Sequence, residues 1–464
     1  MAHHLLMAGA SEEIVVAAEV PPERMLGFWM CLALVVGNMI GSGIFLLPAS
    51  LAPYGLNAMI GWVVTIGGAL CLAYVFACLA RAMPHAAGPY DYVRTAFGAP
   101  AGFFVMWSYW ISAWVTNATI SVAAVSYLSS LAPALFARPG VAPLAAVGFV
   151  LLFTAIALRG ARTSGRVQIV TSILKLLPLI AAIVIAIWVV GSGGETAVFA
   201  PTPISVGGIS GAAALTLWAM LGFESATVPI GKVRCPERNI PRATLLGTLI
   251  AGLFYLAASS AVFLLLPPAV AAASSAPFAD LVGQYWGGGA ATLVALFAAI
   301  SCLGALNGWV LLQAEVPYAL AKRGVFPAWF AAENRRGVPV RAQLAGCVLT
   351  TGLIAANYTR GLTELFAFMA LLATAATLVL YLVASLTALR LIARGMLSGA
   401  LLAVLALVGL IYSIWTLYGA GREATGWGAV LLATGVPVYL LMRRAGRSSP
   451  AAAADPAAPP GSGA

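Results

Sequence analysis

Apolar residues fall in long runs along this chain, and charged residues and Pro/Gly pairs fall between the runs. A run of about 17 to 25 apolar residues crosses a bilayer as a helix. Such runs predict about twelve spans. Their centres lie near Ile40, Ala69, Ala113, Leu151, Leu179, Met220, Tyr255, Leu303, Thr350, Leu378, Leu407 and Leu432. The pattern therefore predicts an all-α integral membrane protein with one membrane domain, about 25–444. A short N-terminal segment, 1–24, precedes it, and an Ala/Pro/Gly/Ser-rich tail, 445–464, is expected to be disordered.

Two spans carry interruptions. The first contains Gly37-Asn38-Met39-Ile40-Gly41-Ser42-Gly43-Ile44-Phe45 in the middle of its apolar run. Glycine lowers helix stability by roughly 1 kcal/mol relative to alanine. A freed backbone group in lipid must find a partner or be strongly destabilising. A break at mid-membrane therefore predicts that something polar binds there. The second break is expected in Trp218-Ala219-Met220-Leu221-Gly222-Phe223-Glu224-Ser225, where Gly222 is the weak point. The breaks lie about 180 residues apart, and each opens a set of five helices with a long third member, about 99–131 and about 287–322. This spacing predicts a five-plus-five inverted repeat, about 25–190 and 206–391, followed by helices 11 and 12. On the third span, Tyr109, Ser112, Ala113, Asn117 and Ile120 share one stripe. That stripe suits either a cavity wall or helix–helix packing through small and polar residues.

Composition agrees with the pattern: 62% of the 464 residues are hydrophobic and 8% charged. With the N-terminus placed inside, the cytoplasmic segments hold twenty Lys and Arg, and the opposite loops hold only Arg138, Arg360 and Arg422. That asymmetry obeys the positive-inside rule and places both termini in the cytoplasm. The net charge of +10 is thus spread over topology signals and does not point to nucleic acid. The lipid bilayer is the expected macroscopic partner. The six cysteines fall mostly inside spans and are expected as free thiols. Residues 1–22 carry Glu12, Glu13 and Glu19 without a basic n-region, so no cleaved signal peptide is expected.

Ionisable groups inside a membrane are usually functional, and Lys175, Glu224 and Glu315 stand out. Glu315 precedes Pro317 near the inner end of the eighth span and reads as structural. The only histidines, His3, His4 and His85, lie outside the spans, so no metal, cofactor or His-based relay is expected. No nucleophile–base pair assembles either, which argues against an enzyme.

With these residues in view, the chain resembles the amino acid–polyamine–organocation (APC) superfamily from about Leu26 to Arg444, most closely its bacterial arginine/agmatine antiporter subgroup. The first break through Ala49, the run Tyr109-Trp110 to Asn117, the run Trp218 to Ser225 followed by Pro236-Glu237-Arg238-Asn239-Ile240-Pro241, and Gly308-Trp309 carry the resemblance. It implies a leucine-transporter-like fold with helices 1 and 6 broken. It implies a small-molecule substrate, an amino acid or its amine, whose carboxylate meets backbone N–H groups among Ile40, Gly41, Ser42 and Gly43. The substrate amino group would meet carbonyls near Trp218 to Leu221. Asn38, Ser42, Ser112, Ala113, Asn117, Trp218, Leu221 and Trp309 match substrate-lining positions. Trp218 and Trp309 match gates, and Tyr109, Glu224 and Tyr381 match a further gate towards the cytoplasm. The resemblance also allows a homodimer. Ala113, Ile120 and Ala373 depart from family positions that carry small polar or sulfur groups, and Thr374 and Thr377 are the nearest hydroxyls to Ala373. Lys175 departs from the antiporter but resembles sodium-independent members of the superfamily. There it is either a fixed cation bridging helices 1 and 8 or a proton-coupling group. The function implied is exchange of a cationic amino acid for its amine by alternating access. The alternative is proton-coupled uptake of neutral amino acids through Lys175.

Overall fold

A computed structural model describes residues 27–41, 43–83, 88–159, 174–197, 199, 201–224, 233–357 and 359–447, with the backbone alone at 34, 38, 236 and 445–447. The N-terminal segment 1–24, Ser42, the loop beyond Gly160 and the tail from 448 onward lie outside the described residues.

Helices account for most of the described residues; apart from one isolated bridge between Glu333 and Pro339, no strand forms among them. In chain order they are α1 (Phe28–Met39), α2 (Gly43–Leu51), α3 (Leu56–Ala82), α4 (Pro89–Phe97), α5 (Ala99–Leu131), α6 (Pro133–Phe136), α7 (Val141–Leu158), α8 (Leu177–Gly191) and α9 (Val206–Met220). The second half comprises α10 (Pro236–Leu265), α11 (Pro268–Ala273), α12 (Pro277–Trp286), α13 (Gly288–Lys322), α14 (Val340–Ala356), α15 (Leu362–Ala393), α16 (Ala400–Gly419), α17 (Gly421–Ala433) and α18 (Gly435–Arg447). The two long helices expected at 99–131 and 287–322 are α5 and α13.

The solvent for this fold is lipid. Eight helices among the described residues are long and apolar enough to cross a membrane. Leu144, Leu151 and Leu152 on α7, Ile187 and Trp188 on α8, and Val404 and Ile411 on α16 are exposed. So much outward apolar surface is stable against acyl chains and not against water. The protein is a multi-pass membrane protein.

Polarity collects inside. Helix α5 is buried over nearly its whole length and packs against α13 and α15. Helix α3 packs on α9, α10 and α16. A hydroxyl chain ties this second group together: Thr65 Oγ1 and Thr216 Oγ1 are 2.7 Å apart, and Tyr412 donates to Thr65 at 3.3 Å. Asn57, fully buried at the start of α3, donates to the carbonyls of Tyr54 and Pro203 and accepts from Ser205 N. It thereby fixes the entry to α9. Charges remain at the ends: Arg323 meets Asp91 on α4 at 2.5 Å, and Lys322 meets Glu333 at 2.8 Å. All six cysteines are free.

Candidate functional site

The first broken span is α1 followed by α2. Ile40 leaves the helix at ψ 88°, its N–H still bonded to Val36 O at 2.8 Å, and α2 begins at Gly43. The last turn of a helix leaves carbonyls without intrahelical donors. Here side chains from other helices supply them. Lys175 Nζ donates to Gly37 O, and Tyr255 on α10 donates to Met39 O. Tyr127 on α5 donates to Phe45 O at 2.8 Å, within α2. The Lys175 ammonium, 5% exposed, therefore sits at the negative end of a half-helix, where a cation is favoured.

The second break follows the Gly222 expectation. Helix α9 ends at Met220, Leu221 is extended, and Gly222 turns the chain at φ +107°, in the left-handed region that glycine adopts without strain. The start of α2 and the end of α9 then touch. A Cβ at Gly43 would lie 2.9 Å from Ala219 Cα, so only glycine permits this approach.

Between these ends lies a cavity of ≈20 Å³ lined by Met39, Gly41, Gly43, Thr116, Ile120, Trp218, Ala219, Leu221 and Trp309. It has room for about one water, far below the roughly 300 Å³ or more of small-molecule sites. A molecule of amino-acid size would fit there only with the lining elements further apart. Of the residues singled out in the sequence, Gly41, Gly43, Ile120, Trp218, Leu221 and Trp309 line this cavity. Ile40, Ser112, Ala113 and Asn117 are buried but do not line it. Ser112 turns its hydroxyl back to Tyr109 O at 2.7 Å, and Asn117 donates to Gln313 Oε1 at 2.8 Å. The side chain of Asn38, and Ser42 as a whole, lie outside the described residues. The hydroxyls of Thr374 and Thr377 are bonded within their own helix, to Ala370 O and Ala373 O.

Glu224, Tyr109 and Tyr381 come together. Tyr109 donates to Glu224 Oε1 at 3.2 Å, and Tyr381 donates to Oε2 at 3.0 Å. Gly222 N donates to the same Oε2 at 3.2 Å. Phe223 stacks on Tyr381 with centroids 4.9 Å apart, and Phe76 meets both rings edge-on. A buried carboxylate is thus held by an aromatic layer from α3, α5 and α15. Glu315, which the sequence grouped with the embedded charges, is exposed on α13.

Several residues escaped sequence reasoning. Thr116 lines the cavity, Tyr255 caps α1, and Gln313 partners Asn117. Tyr255 and Gln313 lie on spans that showed no break, so only their burial beside one reveals them.

A family model described as amino acid permease matches residues 26–441. The chain belongs to that family. The permease is a transporter of the APC superfamily, not an enzyme. It is 33% identical to a putative arginine/ornithine antiporter of Bacillus subtilis (strain 168), over 89% of this chain and 96% of that protein. It is 34% identical to a cadaverine/lysine antiporter of Escherichia coli (strain K12), over 71% and 74% of the two chains. It is 29% identical to the putrescine transporter PotE of Escherichia coli (strain K12), over 88% and 94%.

Proposed function

We propose that this permease exchanges a cationic amino acid for an amine or a second cationic amino acid across the cell inner membrane. The observation that carries this reading is the meeting of opposite helix ends at one cavity. The start of α2 at Gly43 offers backbone N–H groups and about half a positive charge. The end of α9 at Ala219 and Leu221 offers carbonyls and about half a negative charge. One end suits a substrate carboxylate and the other its amino group, which is the pairing an α-amino acid needs. Trp218 and Trp309 give the side chain aromatic faces, on which a guanidinium or ammonium gains about 0.5–2 kcal/mol. The names of the relatives, arginine/ornithine, cadaverine/lysine and putrescine, support a cationic cargo.

The architecture that goes with this reading has twelve spans in a five-plus-five inverted repeat, with both termini in the cytoplasm. Helices α1–α2 and α9 are the broken first members of the two sets. Trp218 and Trp309 close over the substrate, while Tyr109, Glu224 and Tyr381 form a second gate. Lys175 acts as a fixed cation, because its ammonium already serves the exposed carbonyl of Gly37 at the end of α1. Giving up that proton would leave the half-helix end without its counter-charge.

Purified protein in proteoliposomes tests the exchange. Vesicles loaded with ornithine, agmatine or cadaverine should take up labelled arginine or lysine without a pH gradient. Uptake into empty vesicles that depends on an inward proton gradient, and that prefers neutral amino acids, would instead establish proton-coupled uptake through Lys175.

A further inference from the structure

Pro317 lies inside α13 and has no N–H for the carbonyl four residues before it. That carbonyl belongs to Gln313. The Trp110 indole of α5 donates to it at 3.0 Å in place of the missing amide. Two turns along α5, Asn117 Nδ2 donates to the Gln313 side chain at Oε1, 2.8 Å away. Both carboxamides are buried, Asn117 at 0% and Gln313 at 0% exposure. Helix α14 backs the Gln313 carboxamide, and Gly346 leaves the space for it: a Cβ there would approach Gln313 Cδ to 2.6 Å.

The pair is incompletely bonded. Each carboxamide carries an acceptor oxygen and an NH2 donor. One bond joins them, and Asn117 Oδ1 and Gln313 Nε2 have no partner. A buried carbonyl without a donor is unfavourable, so this oxygen calls for one. Asn117 follows one residue of the cavity wall, Thr116, and precedes another, Ile120, by three positions on α5. Its neighbour Thr116 lines the cavity with an unpartnered hydroxyl, and Trp309, one turn before Gln313 on the same face of α13, lines it too.

We infer that Gln313 is a positioning residue for substrate recognition: by accepting from Asn117 Nδ2, it leaves Asn117 Oδ1 as the free acceptor for the cationic end of the substrate side chain. The inference rests on the cationic cargo proposed above. It assigns specificity to a residue that touches no substrate. A Gln313 that only glued α5 to α13 would affect every substrate alike.

Exchange assays in proteoliposomes separate the two roles, with thermal unfolding confirming that each variant is folded. Labelled arginine is the substrate, and norleucine, neutral with a chain of similar length, is the competitor. Gln313→Met should raise the arginine KM about tenfold, the scale of one hydrogen bond to a charged group, and leave norleucine inhibition within about twofold. Gln313→Glu, whose carboxylate still accepts from Asn117 Nδ2, should restore the arginine KM. In an Asn117→Ala background, Gln313→Met should have no further effect. Equal changes for arginine and norleucine, failure of Gln313→Glu to restore, or additive losses in the double variant would each overturn the assignment. A wild-type protein that exchanges no cationic amino acid would overturn the proposed function itself. A wild-type exchanger whose arginine KM ignores Gln313→Met overturns this inference alone.

Discussion

Replacing Gly43 by alanine places a methyl group where α2 meets the end of α9. The added carbon would lie 2.9 Å from Ala219 Cα, 3.1 Å from Ala219 Cβ and 3.2 Å from Trp218 Cζ3. Carbon atoms pack best at about 3.5–4.0 Å, so the two helix ends must part by about 0.6 Å or more. One of the three atoms is backbone, and no rotamer change relieves it. Overpacking of this kind destabilises by about 1–3 kcal/mol, which is about a 5- to 150-fold shift in population. The penalty falls on the closed arrangement, because that is where Gly43 and Ala219 touch. Gly43→Ala should therefore exchange more slowly, with a lower melting temperature in detergent for the substrate-free protein. Gly67→Ala is the control: it lies in α3 with nothing within 4 Å of the added carbon, and alanine is a better helix former there. The measurements are thermal unfolding with and without substrate, and exchange in proteoliposomes. A wild-type rate and melting temperature in Gly43→Ala would refute the idea that this close approach matters to the substrate-free arrangement.

Other consequences can be checked more briefly. Asn57→Ala removes three hydrogen bonds at the entry to α9 and strands Ser205 N and Pro203 O; at about 1 kcal/mol each it should lower the melting temperature markedly, and an unchanged melt would refute this. Tyr381→Phe removes one bond from Glu224 and leaves Gly222 N on the same oxygen, a loss of about 1 kcal/mol. Glu224→Ala leaves Tyr109, Tyr381 and Gly222 N without that acceptor and should destabilise more than Tyr381→Phe in parallel melts. Outside the membrane, the Lys322 ammonium and the Tyr318 hydroxyl hold the Glu333 carboxyl below its usual range. A depressed carboxylate stabilises above its unfolded pKa and loses that contribution as pH falls through the folded value. Protection against hydrogen exchange in the loop at 333–339, after correction for the intrinsic pH dependence of amide exchange, should therefore fall in acid, and Lys322→Met should weaken that fall, with Tyr318 still bonded to Glu333.

The interruptions were legible because they violate the rules of a spanning helix. Gly-Ser-Gly in an apolar run has no packing reason that the sequence supplies, and Gly222 beside a glutamate has none either. The third span was less legible. A stripe of Tyr109, Ser112, Ala113, Asn117 and Ile120 presumes that one face differs from the rest, yet α5 is buried on nearly every side. Periodicity cannot choose a face on such a helix, and the cavity took Thr116 and Ile120 from it while Ser112 turned to its own backbone. Gln313 was invisible for a different reason: a lone glutamine in an apolar helix reads as an outward residue until Asn117 and the proline-freed carbonyl are placed beside it. Glu315 shows the converse, since its charge drew attention but one residue of helix rotation decides whether a side chain points in or out.

The donors that serve the first broken helix come from three places: Lys175 before α8, Tyr255 on α10 and Tyr127 on α5. Two of them grip the end of α1 and one grips α2, so the two halves are held from different parts of the protein. A tilt of α1 that keeps its carbonyls bonded has to carry Lys175 and Tyr255 along, which makes α1, α10 and the turn before α8 a single lever. The pivot then lies between Ile40, where α1 ends, and Gly43, where α2 begins. Motion at that link would change the shape of the cavity between α2 and α9 while these three donors stay bonded.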